Sequence, residues 1–322
     1  MIISKYVSGG AGENAENTMQ AFKYAVDVLQ TDCLELDVHL TKDKIPVVCH
    51  DKDLNRLTGV NVNVSDVNFD ELPKLKSKLA IASEPDGTFW EAKASLTEHK
   101  ESDEDSDTKT NNNMNLMNGL HKRSIYKETD LYVSYLKIPK LEDVFSTFPN
   151  TLINLDVKSG SKELMDKVAA LITKYNREDN IVWGSEELPE NCDYLYNKNP
   201  NICIFFNYPD VLRALFLFWT GLMPFFTFRP THLQVPFPIT YCFRKTHNYD
   251  QASWYEWIRF KVLHFIFMQK AYFEHLEARG IPAWVWVINS DDHFEEALDY
   301  GIKGIFTDYP TKLRKYLNNR RK

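Results

Sequence analysis

From Cys33 to Leu40 the chain alternates polar Glu35, Asp37 and His39 with apolar Leu34, Leu36 and Val38. A period of two predicts a strand with one polar and one apolar face. The pattern returns at 153–158, where Asn154, Asp156 and Lys158 share one face and Ile153, Leu155 and Val157 the other. Six further apolar runs read as strands, at 2–7, 181–185, 202–206, 232–238, 283–289 and 304–310. Helical spacing fills most of the gaps between them. Met19, Phe22, Ala25 and Val26 follow Glu16-Asn17-Thr18, and a long helix is expected from Ser161 to Tyr175. Others run through Leu141, Val144 and Phe145, up to the stop at Arg279-Gly280, and over Phe294 to Leu298. Eight strands mostly separated by helices predict an α/β chain, a closed (β/α)8 TIM barrel occupying residues 1–322 as one domain. No GxGxxG follows the first strand, which weighs against a dinucleotide-binding sheet.

Two stretches break the pattern. Residues from about 76 to 130 become acidic and then Asn-rich, with little to bury, and predict a disordered low-complexity insertion in a surface loop. A hydrophobic segment at about 211–228 carries no charge from Ala214 to Phe228. Interrupted by Pro224, it falls short of the roughly 20 residues that span a bilayer. A buried core helix is one reading. A segment lying in a membrane interface is favoured, because the basic, aromatic stretch from Trp254 to Lys270 can add a second apolar face.

Composition narrows the classes. The net charge of -7 argues against a nucleic-acid partner. Cys33, Cys49, Cys192, Cys203 and Cys242 form no CxxC pair, as expected of buried thiols in a reducing compartment. The first residues hold no apolar run long enough for a signal peptide, so an intracellular protein is expected, at a cytoplasmic or endoplasmic reticulum membrane.

If both polar-faced strands line one barrel, Glu35, Asp37 and Asp156 converge at its C-terminal mouth. Three carboxylates without a cysteine or histidine cluster form a hard-oxygen set, suited to Mg²⁺ or Ca²⁺. Lys158 beside them suits an anion such as phosphate. His50 ends a short apolar run, Val47 to Cys49, and is a proton-transfer candidate. A solvated edge or a buried ion-pair network is the plainer alternative.

ENT, LELDVHLTKDKIPVVCHD, NLDVK, WVWVIN and GIFTDYPTKL, in this order, resemble the glycerophosphodiester phosphodiesterase family. GGAGENAENTM and TDYPTKLR are most similar to its animal lysophospholipase D-type subgroup. The resemblance implies a barrel hydrolase with a divalent metal, cleaving lysophospholipids or glycerophosphodiesters at a membrane surface. Among the lysophospholipids are N-acyl ethanolamine forms. It implies Glu35, Asp37 and Asp156 as metal ligands, His50 as catalytic histidine, Lys158 as the phosphate-facing lysine and Trp286 as an aromatic near the substrate. His39, on the same face, is expected to be structural, bonded to a carboxylate.

One departure bears on activity. The family's first motif is His-Arg-Gly at the end of strand 1, and here Val7 and Ser8 precede Gly9. Valine cannot transfer a proton, and serine lacks the paired contacts of arginine to phosphate. The match begins abruptly at Gly9, so upstream sequence carrying His-Arg is expected; a weak or inactive lipid-binding protein at a membrane surface is the alternative.

Overall fold

The computed structural model describes residues 3–7, 9–84, 87–92, 136–185, 188–243 and 253–320. Strands β1 (Ile3–Val7), β2 (Cys33–Leu40), β6 (Leu152–Val157), β7 (Ile181–Gly184), β8 (Cys203–Ile204), β9 (Leu233–Pro236), β10 (Ala283–Trp286) and β11 (Gly304–Thr307) pair in the order β8-β7-β6-β2-β1-β11-β10-β9. All these pairings are parallel, and a parallel bridge from Phe205 to His232 joins the two ends. The eight expected strands therefore close into one barrel. β3 (Pro46–Val48) folds back antiparallel on β2.

Alternation decides what each strand buries. Leu34, Leu36, Val38, Ile153, Leu155 and Val157 point outward into the main core beneath the helices. The inward residues form a separate aromatic plug in which Val182, Phe205, Trp284 and Phe306 pack together. Space for it comes from glycine: a Cβ on Gly304 would stand 2.5 Å from the Trp284 ring, and one on Gly184 2.9 Å from Phe205. Such contacts cost overpacking strain.

The outer ring forms as its sequence directs. Ser161 caps the helix Lys162–Lys174 by accepting from Leu164 N–H at 3.3 Å, and Leu164, Met165, Val168 and Ile172 form its buried stripe. Gly9 (φ +81°) turns the chain from β1 into the helix Met19–Lys23. A Cβ there would sit 2.7 Å from Ala21 Cβ, so the turn needs glycine on both counts.

The first part of the stretch expected to be disordered is structured. Lys78–Ala80 (β4) and Phe89–Glu91 (β5) pair antiparallel, and Leu79 is buried in a small cluster with Leu57 and Leu75. A short apolar alternation survives inside the polar tract. The remainder of the expected disordered stretch, from 93 on, lies outside the described residues.

The hydrophobic segment divides its roles. Helix Tyr208–Trp219 buries Val211, Ala214, Leu215 and Leu217 while Leu212, Phe216 and Trp219 stay exposed. The core reading therefore accounts for one face only. No helix among the described residues is long and apolar enough to cross a membrane.

Candidate active site

Parallel register sets Asp37 beside Asp156 and Glu35 beside Asn154, with Val7 opposite Glu35 across β1. Alternation then turns Glu35, Asp37 and Asp156 inward, where all three are buried. They line a cavity of about 330 Å³ at the C-terminal ends of the strands, together with His50, Lys158 and Trp286. Every expected site residue meets there. Phe206, Tyr208 and Pro236 add apolar surface, and Glu16 and Asp308 add further carboxylates.

Lys158 Nζ lies 2.6 Å from Asp156 Oδ2 and 3.1 Å from Asp37 Oδ1. The ammonium thus bridges these two acids, and its own pKa is raised well above the usual lysine value. Burial opposes that rise, and the Asp37 and Asp156 charges win. The second oxygens, Asp37 Oδ2 and Asp156 Oδ1, are buried without a hydrogen-bond partner. Burial, reinforced by the Asp37 charge, pushes Glu35 well above its ordinary value. Burial lifts Asp156 as well, with Lys158 opposing it. For Asp37, Lys158 and His50 overcome burial and hold the carboxyl down. The two unpartnered oxygens are hard donors with capacity for a further cation. Among the described residues no three acidic, histidine or cysteine side chains enclose a metal position as they stand.

His50 reaches the cavity because β3 returns along β2. Cys49 N–H donates to the Asp37 carbonyl at 2.9 Å, and His39 Nε2 lies 3.3 Å from the His50 carbonyl. The partner of His39 is this backbone carbonyl rather than the expected carboxylate. With an acceptor there, Nε2 carries the proton, and His39 fixes the main chain of His50.

The imidazole is oriented from behind. His50 Nδ1 lies 2.7 Å from Asp51 Oδ1, leaving Nε2 for exchange with a substrate. Asp37's charge, joined by the Asp51 hydrogen bond against the effect of burial, raises His50 to about 9. At neutral pH it is an imidazolium, a proton donor. Burial alone would lift Asp51, yet bonds from His50 and Arg56 hold it well below the usual carboxylate range. Arg56 donates to Asp51 (Nε–Oδ2 2.6 Å) and to the Ala80 carbonyl at 2.8 Å. It also grips Glu16 with two nitrogens, tying the loop after β1 and the β4–β5 hairpin to the His50 segment.

Asp308 stands on another wall, immediately after β11. It accepts from the Ser83 hydroxyl and from Asn289 Nδ2 (3.0 Å), and burial pushes it up to about 6. Asn289 Nδ2 also donates to Glu84 at 2.6 Å, so the stretch after β4 is strapped across the rim. Deeper in the barrel, Asn154 and Gln234 exchange two amide hydrogen bonds, at 2.6 and 3.4 Å. Sequence reading missed Glu16, Arg56, Ser83, Gln234 and Asp308 as parts of the site. For Asp308 a signal existed, since an acid directly after a barrel strand falls where barrel enzymes keep their chemistry.

Comparison with known proteins places the chain in a family. Residues 8–208 match the model of the glycerophosphoryl diester phosphodiesterase family. Lysophospholipase D GDPD1 of Homo sapiens is 39% identical over 98% of this chain and 87% of its own length. Lysophospholipase D GDPD3 of Homo sapiens is 29% identical over 97% of this chain and 83% of its own. The glycerophosphodiester phosphodiesterase of Thermotoga maritima superposes with a TM-score of 0.58 at 19% identity, covering 98% of both chains. An Oleispira antarctica phosphodiesterase, solved with the product sn-glycerol-3-phosphate, gives 0.61 at 16% identity over 98% of this chain and 96% of that one. At such identities the two structures speak for the barrel fold alone.

Proposed function

Since this chain belongs to the glycerophosphoryl diester phosphodiesterase family and is a phosphodiester hydrolase, we propose that its substrates are lysophospholipids or glycerophosphodiesters. The reaction yields a phosphate monoester and a free alcohol. The observation that carries this reading is His50, held at Nδ1 by Asp51, and the Lys158 ammonium facing one cavity with three buried acids. An anionic phosphodiester needs cationic hydrogen-bond donors, and its leaving alkoxide needs a proton.

Each side chain takes a defined part. Lys158 neutralises a phosphoryl oxygen, and His50 Nε2 gives its proton to the departing alcohol oxygen as the P–O bond breaks. Trp286, with Phe206 and Pro236, packs the glycerol and the start of the acyl chain. Glu35, Asp37 and Asp156 would hold a divalent cation, Mg²⁺ or Ca²⁺. The buried and unpartnered Asp37 Oδ2 and Asp156 Oδ1 fit this, being hard oxygen donors. Bound there, the ion supplies Lewis-acid polarisation of the phosphoryl group.

Activity is impaired in this chain. The nucleophile, water or a neighbouring glycerol hydroxyl, must lose a proton, and the backbone position next to Glu35 that could carry an acceptor is valine. Loss of a general base typically costs about 10²–10⁴-fold. The same reading places the protein at an intracellular membrane surface, cytoplasmic or endoplasmic reticulum, where lysophospholipids reside. A weak or inactive lipid-binding protein is the second reading, favoured by Val7 alone.

The test measures alcohol release from lysophosphatidylcholine and from glycerophosphocholine with Mg²⁺ or Ca²⁺, comparing the chain with Val7→His/Ser8→Arg. The expected rise in the double variant is about 10²-fold or more. Equal, substantial rates would show that positions 7 and 8 are dispensable. No turnover in either protein would leave the lipid-binding reading.

A further inference from the structure

Of the fifteen large apolar side chains that are exposed among the described residues, all but Val28, Val60 and Phe89 fall within 208–226 and 254–265. Their spacing is regular. Helix Tyr208–Trp219 exposes Tyr208, Leu212, Phe216 and Trp219, and helix Trp254–Phe267 exposes Trp254, Ile258, Val262 and Phe265. Both sets run i, i+4, i+8, i+11, which places each on one continuous helical face. The last members meet: the Trp219 and Phe265 rings lie 5.2 Å apart, and Trp219 Nε1–H donates to the Ile266 carbonyl at 3.3 Å. The two stripes therefore form one surface.

Helix Trp254–Phe267 is the more telling of the two. It is apolar around most of its circumference, yet none of its residues is buried. In a water-soluble setting an apolar helix of this kind is buried against something.

We infer that these two stripes form a docking face for an anionic lipid bilayer, and that the face delivers membrane-resident substrate to the cavity. Charge selects the occupant. The protein carries a net charge of -7, but exposed Arg213, Arg259 and Lys261 flank the stripes. The acid of the second helix, Glu256, is engaged in its own cap, accepting from Ser253 N–H at 2.8 Å and from its hydroxyl at 2.6 Å. A locally cationic rim around aromatic side chains suits phosphate head groups over an acyl layer. It suits a second copy of this acidic chain less well. Position points the same way, because Tyr208, the first residue of one stripe, also lines the cavity. A single-chain lipid can slide from bilayer to site without crossing water. The delivery step rests on the proposed lysophospholipid substrate; the docking face does not.

The test separates the two. The full chain is floated with phosphatidylcholine vesicles and with phosphatidylcholine–phosphatidylserine vesicles, beside Phe216→Glu and Phe265→Glu. These side chains are 63% and 62% exposed, so the fold tolerates the change, and melting temperature verifies that it does. Trp254→Glu, at 76% exposure, is an independent third variant. Wild type is expected to float, more strongly with phosphatidylserine, and each variant to lose about 10-fold or more in partitioning. Arg259→Glu/Lys261→Glu should abolish the preference for phosphatidylserine. Turnover of soluble glycerophosphocholine should be unchanged in Phe216→Glu, while turnover of vesicle-borne lysophosphatidylcholine falls. If neither substrate is turned over, the delivery step fails with the functional reading, and flotation alone decides the face. Absence of flotation in wild type, flotation undiminished in the variants, or a dimer that the variants convert to monomer would each overturn it.

Discussion

Arg56 and Glu16, forty positions apart, form a two-point ion pair, Nη1–Oε2 at 2.8 Å and Nη2–Oε1 at 2.6 Å. The same guanidinium holds Asp51, which holds His50, so one planar cation orients this imidazole from a distance. Arg56→Lys keeps the charge but lacks the fork geometry. In the Val7→His/Ser8→Arg background, kcat is expected to fall on the order of 10²-fold with KM little changed, as for a misplaced catalytic group. An unaltered kcat would show that His50 positions itself.

Divalent ions supply a second test. Mg²⁺ or Ca²⁺ should raise the melting temperature of the chain, because a ligand that binds only the folded state stabilises it by mass action. Asp37→Asn/Asp156→Asn should erase that rise, whereas Lys158→Met should keep it and lower turnover. A full rise in the double asparagine variant would place the ion elsewhere.

Asp308 gives stability a pH dependence of known sign. Burial raises it to about 6 in the folded protein, so the folded state binds this proton more tightly than the unfolded chain. The resulting stabilisation is complete below the ordinary carboxylate pKa and is lost as pH rises through about 6. Relative to Asp308→Asn, wild type should therefore lose about 2 kcal/mol between roughly pH 4 and pH 7 in urea unfolding. A gap that stays constant with pH would contradict it.

Arg177 is completely buried and donates to the carbonyls of Phe148 and Thr151. Arg177→Met leaves both acceptors without a donor, at about 1–3 kcal/mol each. A fall in melting temperature of roughly 5–10 °C is expected, with turnover per folded molecule unchanged. A shift under about 1 °C would mean that water replaces the guanidinium.

The barrel and the acid cluster could be read from the chain because a period of two survives in both Leu34–His39 and Ile153–Lys158, and parallel pairing then aligns Asp37 with Asp156. The orientation of His50 could not be read. Its determinants, Glu16, Asp51 with Arg56, and Ala80, lie in three separate stretches, and only the folded chain brings them together. The β4–β5 hairpin was hidden for the opposite reason, its few apolar residues being diluted by polar neighbours until composition outweighed pattern. For residues 208–219 and 254–267, periodicity reveals a stripe but not which face meets water, since that depends on what the barrel leaves uncovered.

Val182, Phe205, Trp284 and Phe306 pack together inside the barrel, and Phe205 and Phe306 also line the cavity, so apolar side chains close the cavity on its inner side. Reactant and both products share one doorway. The phosphate monoester keeps the anionic group that Lys158 attracts and is the slower to depart. Accumulating monoester should therefore inhibit competitively against the diester, and turnover at high conversion should fall off well before the substrate is exhausted.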